Sequence, residues 1–172
     1  TPAPISYIAS SYVAKNNTSS SQYFEPSAGN GLLTIALPTK QTIVNEVDDI
    51  RLDNLKYQPY KKVTNQDATQ PFTEYYKKFD GIVTNPPFGT MAEAVIYDGY
   101  PIKTLDHLMS LRALDTMKDD GRAAIIIGGH TEWDEKGRIQ AGKNRIYFNY
   151  LYSHYNVDDV ILIDGHKLYS RQ

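Results

Sequence analysis

The spacing of apolar and polar positions along the chain predicts an alternation of short helices and strands. Apolar residues recur at helical spacing in residues 5–14, behind a Thr-Pro start, and again in residues 105–117, so both segments are predicted to be amphipathic helices. Other apolar runs are short and end in acidic residues, Gly or Pro. These runs are residues 42–47, 63–68, 82–83 and 123–127. Short buried strands between helices favour an α/β fold with a mostly parallel sheet.

Further elements follow from local composition. Residues 23–33 read as a strand, a glycine-rich turn and the start of a helix. The others are a helix at residues 50–55 capped by Asp48 and Asp49, a mobile loop at residues 89–101, a Tyr-rich helix at residues 145–155 and a final strand at residues 157–163. Together they predict one domain with helices on the faces of a sheet.

Composition narrows the possible functions. A chain of 172 residues with 41% hydrophobic content can bury one core, and no apolar run is long enough to cross a bilayer, so we expect a soluble, cytoplasmic protein with no membrane partner. Without Cys the chain has no disulfides and no thiol nucleophile, which excludes the methylation of a cytosine ring carbon. A net charge of −2 does not provide the positive field of an independent DNA-binding protein.

The glycine-rich turn at residues 25–31 follows the first predicted strand. Gly29 and Gly31 would allow a ligand to approach the backbone closely. A dinucleotide fingerprint needs a third glycine where this chain has Thr34, which weakens that reading. Glu46 ends the second strand, fifteen residues beyond Gly31, so its carboxylate is predicted to lie beside this turn. Its two oxygens suit the hydroxyls of a ribose, although a solvated charge at a strand end is an equal alternative.

A rigid corner, Asn-Pro-Pro-Phe at residues 85–88, follows the fourth predicted strand. The two prolines fix two φ angles and prevent the strand from continuing. The corner therefore presents the carboxamide oxygen of Asn85, the backbone carbonyl of Pro86 and the ring of Phe88 in a fixed arrangement. Two acceptors and an aromatic face suit a planar base that carries an amino group. A plain proline-rich turn is the alternative interpretation.

Residues 85–88 after a strand resemble the catalytic motif of S-adenosylmethionine-dependent methyltransferases that modify the exocyclic amino nitrogen of adenine in DNA. With Gly89 the motif is most similar to the modification subunits of type I restriction systems. The resemblance implies a Rossmann-like class I methyltransferase fold, a doubly wound, mostly parallel sheet with flanking helices, here without the closing strand and the target-recognition domain. It also implies catalytic roles for Asn85, Pro86, Pro87 and Phe88.

The resemblance extends to the cofactor, S-adenosylmethionine. Residues 25–31 are similar to the family's motif I, which wraps the amino-acid part of the cofactor, and residues 1–5 match the start of a Thr-Pro segment that contributes to the same end. Asp67 and Ala68 match the position that holds the cofactor's adenine. The implied cofactor-binding residues are Thr1, Pro2, Glu25, Pro26, Ser27, Gly29, Gly31, Glu46, Asp67, Ala68 and Asn85.

The partner implied by the resemblance is DNA, held through a recognition domain or subunit outside these residues, and we expect the chain to be part of a larger protein. Residues 131–143 contain Trp133 with three basic residues, a composition that could contact nucleic acid, although a solvated loop is the favoured interpretation. The four histidines lack metal-ligand spacing, so no metal is expected. Similar corners occur in enzymes that act on RNA bases or on protein glutamine, and an inactive cofactor-binding subunit also stays open.

Overall fold

The computed structural model describes residues 1–129, 133–139 and 144–165. In these ranges the chain forms four α-helices and seven strands. The helices are α1 Ala3–Val13, α2 Asp49–Lys56, α3 Leu105–Leu114 and α4 Arg145–His154. The strands are β1 Tyr23–Glu25, β2 Thr42–Asn45, β3 Lys62–Thr64, β4 Phe79–Thr84, β5 Thr90–Tyr97, β6 Tyr100–Thr104 and β7 Met117–Ile125.

Five strands form one parallel sheet in the order β3-β2-β1-β4-β7. Phe24 of β1 is in register with Ile43 of β2 on one side and with Ile82 of β4 on the other. The strand order reverses between β1 and β4, and such a reversal opens a crevice outside the carboxyl ends of the two strands. The predicted doubly wound, mostly parallel sheet with flanking helices is confirmed.

The core on one face of the sheet is a cluster of aromatic rings around Phe24. Its ring stacks on Phe79 at a centroid distance of 4.8 Å and meets Phe72 edge-on at 5.0 Å. All three side chains are buried, and each such burial stabilises the fold by roughly 1.5–3 kcal/mol. The other face of the sheet packs Val83 against Val13 of α1 and the segment after β1. Both faces of β1 and β4 are therefore covered, which fixes the crevice at their ends.

Several predicted elements are confirmed. The helix expected at residues 5–14 is α1, and the Tyr-rich helix expected at residues 145–155 is α4. Asp48 caps α2 as predicted, because its side chain accepts a 3.0 Å hydrogen bond from the backbone N–H of Arg51.

The prediction of a mobile loop at residues 89–101 is wrong, because this segment belongs to the antiparallel hairpin of β5 and β6. Asp98 and Gly99 at its tip have φ values of 47° and 82°, and two successive positive φ angles match the right-handed twist of hairpin strands. Tyr97 and Ile102 are buried in a cluster with Leu108 and Leu111 of α3. The Asp-Gly pair was the hairpin signal in the sequence.

The boundary between α3 and the next strand also differs from the prediction. Instead of a helix to Met117 and a strand over residues 123–127, α3 ends at Leu114 and β7 already begins at Met117. An irregularity in the pairing with β4 falls at Asp80, whose carboxylate accepts from the backbone N–H of Gln22 and pairs with Lys118. These contacts hold the acidic start of β7 beside the sheet.

Three other predicted elements differ from the structure. The glycine turn leads into short 3₁₀ turns at Leu32–Thr34 and Thr39–Gln41 and not into an α-helix, since the Thr34 hydroxyl bonds back to the carbonyl of Gly31. The third strand stops at Thr64. Residues 157–163 form no strand, and Ile161 and Leu162 are exposed. Across the described ranges, no helix combines the length and the apolar character needed to span a bilayer.

Candidate functional site

A cavity of about 630 Å³ opens at the carboxyl ends of β1, β2 and β4. Its volume lies within the range of small-molecule sites, roughly 300–1,000 Å³. Most of the residues singled out from the sequence line it. They are Thr1, Glu25, Pro26, Ser27, Gly29, Glu46, Asp67, Ala68, Asn85 and Pro87. The glycine turn and the Asn-Pro-Pro-Phe corner therefore meet at one site across the point where the strand order reverses.

Asn85 contributes a free acceptor to this cavity. Its Nδ2 donates a 2.6 Å hydrogen bond to Oγ1 of Thr1, which fixes the carboxamide. Its Oδ1 is buried and has no hydrogen-bond partner among the residues that the structure describes. A buried carbonyl oxygen without a partner costs about 1–3 kcal/mol, so a ligand that brings an N–H donor to this atom gains affinity.

Glu25 contributes a second unpaired oxygen. The residue is 1% exposed, and within the described part of the chain its Oε2 has no hydrogen-bond partner. Burial raises the pKa of the Glu25 carboxyl well above its ordinary value, and the nearby carboxylate of Glu46 raises it further. A cationic ligand group beside these two acids would favour the ionised form of Glu25, so this end of the cavity is suited to an ammonium.

Glu46 holds the glycine turn in place. One carboxylate oxygen accepts from the backbone N–H of Gly29 at 2.7 Å and the other from that of Asp48 at 2.9 Å. Gly29 has φ +57°, and a Cβ at this position would meet nothing within 4 Å, so the turn is open toward the cavity. Each carboxylate oxygen of Glu46 still has a second lone pair for a ligand hydroxyl.

Asn45 is a residue of the site that sequence reasoning missed. Its Nδ2 donates to the carbonyls of Pro26 at 3.0 Å and Gln66 at 2.8 Å. Its Oδ1 accepts from the Thr64 hydroxyl at 2.8 Å and from the N–H of Gln66 at 2.9 Å. One buried carboxamide therefore joins the segments that follow β1 and β3 to the end of β2. The only signal in the sequence was a polar residue directly after the apolar pair Ile43-Val44, and the structure shows that this Asn is buried.

The loop after β3 forms the far wall of the cavity. Asp67 uses Oδ1 to accept from the backbone N–H and the hydroxyl of Thr69, at 2.9 and 2.8 Å. This local turn leaves the Asp67 side chain exposed while Ala68 is buried. Arg112 of α3 fastens the loop from behind by donating from Nε to the Thr69 carbonyl at 3.2 Å.

Four of the singled-out residues, Pro2, Gly31, Pro86 and Phe88, do not line the cavity. Gly31 has φ +85°, and a Cβ there would lie 2.4 Å from the Tyr60 hydroxyl, so packing explains this glycine. Phe88 is 60% exposed and lies in the chain directly after Pro87, which lines the cavity with Asn85. Its ring lies against Gly128.

The remaining predictions concern metals and the basic loop. No group of three or more potential metal ligands occurs within the ranges that the structure covers. The loop expected at residues 131–143 is described only over residues 133–139, where Arg138 pairs with Asp134 at 2.7 Å and Trp133 packs edge-on against Phe148. Lys143, His130 and His166 lie outside the described residues.

Comparison with known proteins identifies the fold. No protein-family model matches the chain, and no curated protein matches it significantly. Among solved structures, it is similar to a type I restriction-modification system methyltransferase subunit from Streptococcus thermophilus, with TM-score 0.59 and 16% identity over 74% of this chain. It is also similar to the type IIG restriction endonuclease BpuSI, with TM-score 0.55 and 13% identity over 87% of this chain.

The described chain has a Rossmann-like fold, a mostly parallel five-stranded sheet flanked by helices, and it shares this fold with the Streptococcus methyltransferase subunit. The aligned region accounts for 34% of the Streptococcus protein and 21% of BpuSI, so this chain spans a minor part of each.

Proposed function

We propose that this chain is a catalytic domain that transfers a methyl group from S-adenosylmethionine to the exocyclic amino nitrogen of adenine in DNA. The observation that carries the proposal is the unpartnered Oδ1 of Asn85, held by Thr1 in the same cavity as the glycine turn. An acceptor fixed before the ligand arrives favours a substrate amino group at this position.

The lining of the cavity fits the cofactor. Glu25 would receive the ammonium end, Glu46 the ribose hydroxyls, and Asp67 with Ala68 the adenine. When bound, S-adenosylmethionine supplies an electrophilic methyl group on a positively charged sulfur. The unpaired Oε2 of Glu25 and the open side of Gly29 support this assignment, because they leave an acceptor and space that the protein itself does not use.

The chemistry assigned to the corner is orientation of the substrate nitrogen. The lone pair of an adenine amino group is delocalised into the ring, so the amine is a weak nucleophile. A hydrogen bond from one N–H group to Asn85 Oδ1 holds the amine in the cavity. The second N–H is assigned to the carbonyl of Pro86, which is buried next to Asn85 and outside the cavity lining, and the two bonds together favour a pyramidal nitrogen whose lone pair is directed at the methyl donor. The methylated nitrogen then loses its proton readily, so no strong protein base is required.

Phe88 is assigned to the substrate base. An adenine that leaves the duplex loses a few kcal/mol of stacking free energy. Stacking on an exposed aromatic ring beside the acceptors would offset part of this loss. The net charge of −2 supports a division of labour in which DNA affinity comes from a recognition domain or subunit outside these residues. We propose accordingly that the 172 residues belong to a larger restriction-modification protein, in line with the name of the Streptococcus neighbour.

The test is a side-by-side methylation assay of the full-length protein on adenine-containing DNA, RNA and a glutamine peptide, with binding of S-adenosylmethionine measured by calorimetry. We expect transfer to DNA adenine, reduced roughly 10²–10³-fold in Asn85→Ala. Asn54→Ala is the matched control, because Asn54 is exposed on α2. The cofactor should still bind to Asn85→Ala.

Other outcomes would overturn the proposal in distinct ways. Transfer only to RNA or to the peptide would reject the DNA assignment. Cofactor binding without any transfer would indicate a regulatory subunit, and the absence of cofactor binding would reject a methyltransferase altogether. For residues 1–172 alone we expect weak DNA binding and slow transfer, and efficient turnover by this chain would refute the need for an outside recognition domain.

A further inference from the structure

The ring of Phe88 lies with one face against the backbone of Gly128. A Cβ built on Gly128 would be 2.9 Å from Cγ of Phe88 and 3.1 and 3.2 Å from its two Cδ atoms. Nearly equal distances to three adjacent ring atoms place this point above the plane of the ring and not at its edge. Since Phe88 is 60% exposed as a residue, the accessible ring surface lies on the side away from Gly128. Only glycine allows this approach.

The peptide groups of Gly128 are held from two sides. Its N–H donates a 2.9 Å hydrogen bond to Oδ2 of Asp106, a residue of α3 that is 1% exposed. Its carbonyl accepts from Nδ2 of Asn144, the residue before α4, at 3.3 Å. A buried carboxylate that accepts from a backbone N–H makes a strong hydrogen bond. The position of Gly128 is therefore fixed by two helices outside the parallel sheet.

A third buried side chain sets the orientation of Asn144. Its Oδ1 lies 3.0 Å from Nε2 of His107. Because Nδ2 of Asn144 already donates to Gly128, Oδ1 must accept, and the proton of the His107 ring must sit on Nε2. The His107 ring stacks on Tyr147 at a centroid distance of 4.4 Å. These contacts behind Gly128 are internal to the protein and have no part in the cofactor cavity.

We propose that Gly128 is the platform on which Phe88 rests and that Asp106 and Asn144 are positioning residues for the target base. The inference rests on the proposed function, in which Phe88 stacks on the base. Because one face of the ring packs on immobilised backbone, the position and orientation of its other face are fixed before the base arrives. Stacking of the base then costs no conformational entropy for ordering the ring. From the sequence alone, the adjacent Gly128 and Gly129 are interpreted only as the end of a strand.

The structural part of the proposal is tested without reference to activity. The protein is labelled with fluorinated phenylalanine, and the ¹⁹F resonance of Phe88 is assigned by its loss in Phe88→Leu. We expect Gly128→Ala and Asp106→Ala to shift this resonance, because the first fills the platform and the second releases it. Asp106→Asn should retain the native shift, since its amide oxygen still accepts from the Gly128 N–H. An unchanged resonance in Gly128→Ala and Asp106→Ala would overturn the proposal.

The functional part uses a double-mutant cycle between Gly128 and Phe88. Gly128→Ala should lower single-turnover methylation by at least about tenfold and leave cofactor affinity within about twofold. In the Phe88→Leu background the same change should have almost no further effect. Equal losses in both backgrounds would show that Gly128 acts through something other than Phe88, and the proposal would fail.

The two arms separate the possible failures. If the natural protein methylates no adenine, the proposed function fails while the ¹⁹F spectra still decide whether Asp106 and Gly128 hold Phe88. Gly128→Ala keeps the partners of Asp106 and Asn144 in place, so it remains informative if Asp106→Ala does not fold. Thermal unfolding of each variant confirms which ones are folded.

Discussion

Asn85 and Thr1 are 84 residues apart in the chain and are joined by a 2.6 Å hydrogen bond from the carboxamide to the hydroxyl. The bond uses the donor side of the amide, so the oxygen is the part left for a ligand. The residue two positions before α1 thereby orients the side chain that follows β4, and Thr1 becomes part of the candidate active site.

Loss of the Thr1 hydroxyl should impair catalysis more than cofactor binding. In Thr1→Ala the Asn85 amide is free to rotate, and we expect kcat for methyl transfer to fall roughly tenfold. Thr1→Ser keeps the hydroxyl and is the matched control. Steady-state kinetics and cofactor titration measure the two effects. A Thr1→Ser protein as slow as Thr1→Ala would show that the methyl group, and not the hydrogen bond, is what matters.

Removal of the Asn45 carboxamide should destabilise the whole domain. In Asn45→Ala, the carbonyls of Pro26 and Gln66 and the N–H of Gln66 lose this partner, and the Thr64 hydroxyl keeps only a 3.4 Å bond to the Val44 carbonyl. We expect the free energy of unfolding to fall by about 3 kcal/mol. Urea denaturation measures this change. Asn54→Ala on the exposed side of α2 should stay within about 0.5 kcal/mol of the wild type. A similar small change in Asn45→Ala would contradict the assigned network.

The buried carboxyl of Glu25 predicts a pH-dependent stability. Its pKa in the folded protein is raised above the ordinary value of 4.5, so the folded state binds a proton that the unfolded state has already released. Stability therefore decreases as the pH rises from about 4.5 toward the folded pKa. Glu25→Gln cannot ionise, and its Tm should exceed that of the wild type by an amount that grows over this pH window. Calorimetric scans between pH 4 and 8 that give a constant difference would reject the assignment.

The two glycines of the first turn should respond differently to alanine. In Gly31→Ala the new Cβ would collide with the Tyr60 hydroxyl at φ +85°, and we expect a loss of about 1–3 kcal/mol in the free energy of unfolding. In Gly29→Ala the Cβ faces open space at φ +57°, so the cost in folding should be smaller, while the methyl group intrudes on the ligand side of the turn.

Calorimetric titration with S-adenosylmethionine completes this comparison. Cofactor affinity should fall in Gly29→Ala and should change less in folded Gly31→Ala. The reverse order would mean that Gly31, and not Gly29, faces the ligand.

The sequence predicted the sheet and the meeting of its two main motifs because both depend on local rules. Residues 25–31 and 85–88 each follow an apolar strand, and parallel strands bring their carboxyl ends to one edge. Gly29 and Asn85 could therefore be predicted to line the same cavity without any knowledge of side-chain packing, and they do.

Other features depend on contacts between distant parts of the chain. The hydrogen bonds of Asn45 and of Asp106 join residues about twenty positions apart, and no periodicity reveals them. The early start of β7 depends on Lys118 reaching Asp80. Residues 157–163 show the opposite case, in which an apolar run typical of a strand finds no neighbour within the described sheet.

The shared carboxamide of Asn45 has a consequence for protein engineering. Loops that hold a ligand can usually be redesigned one at a time, but here the backbone on either side of β2 depends on the same four hydrogen bonds. A library that varies one wall to admit bulkier donor analogues will select against any change that shifts this amide. Productive variants should therefore keep Asn45.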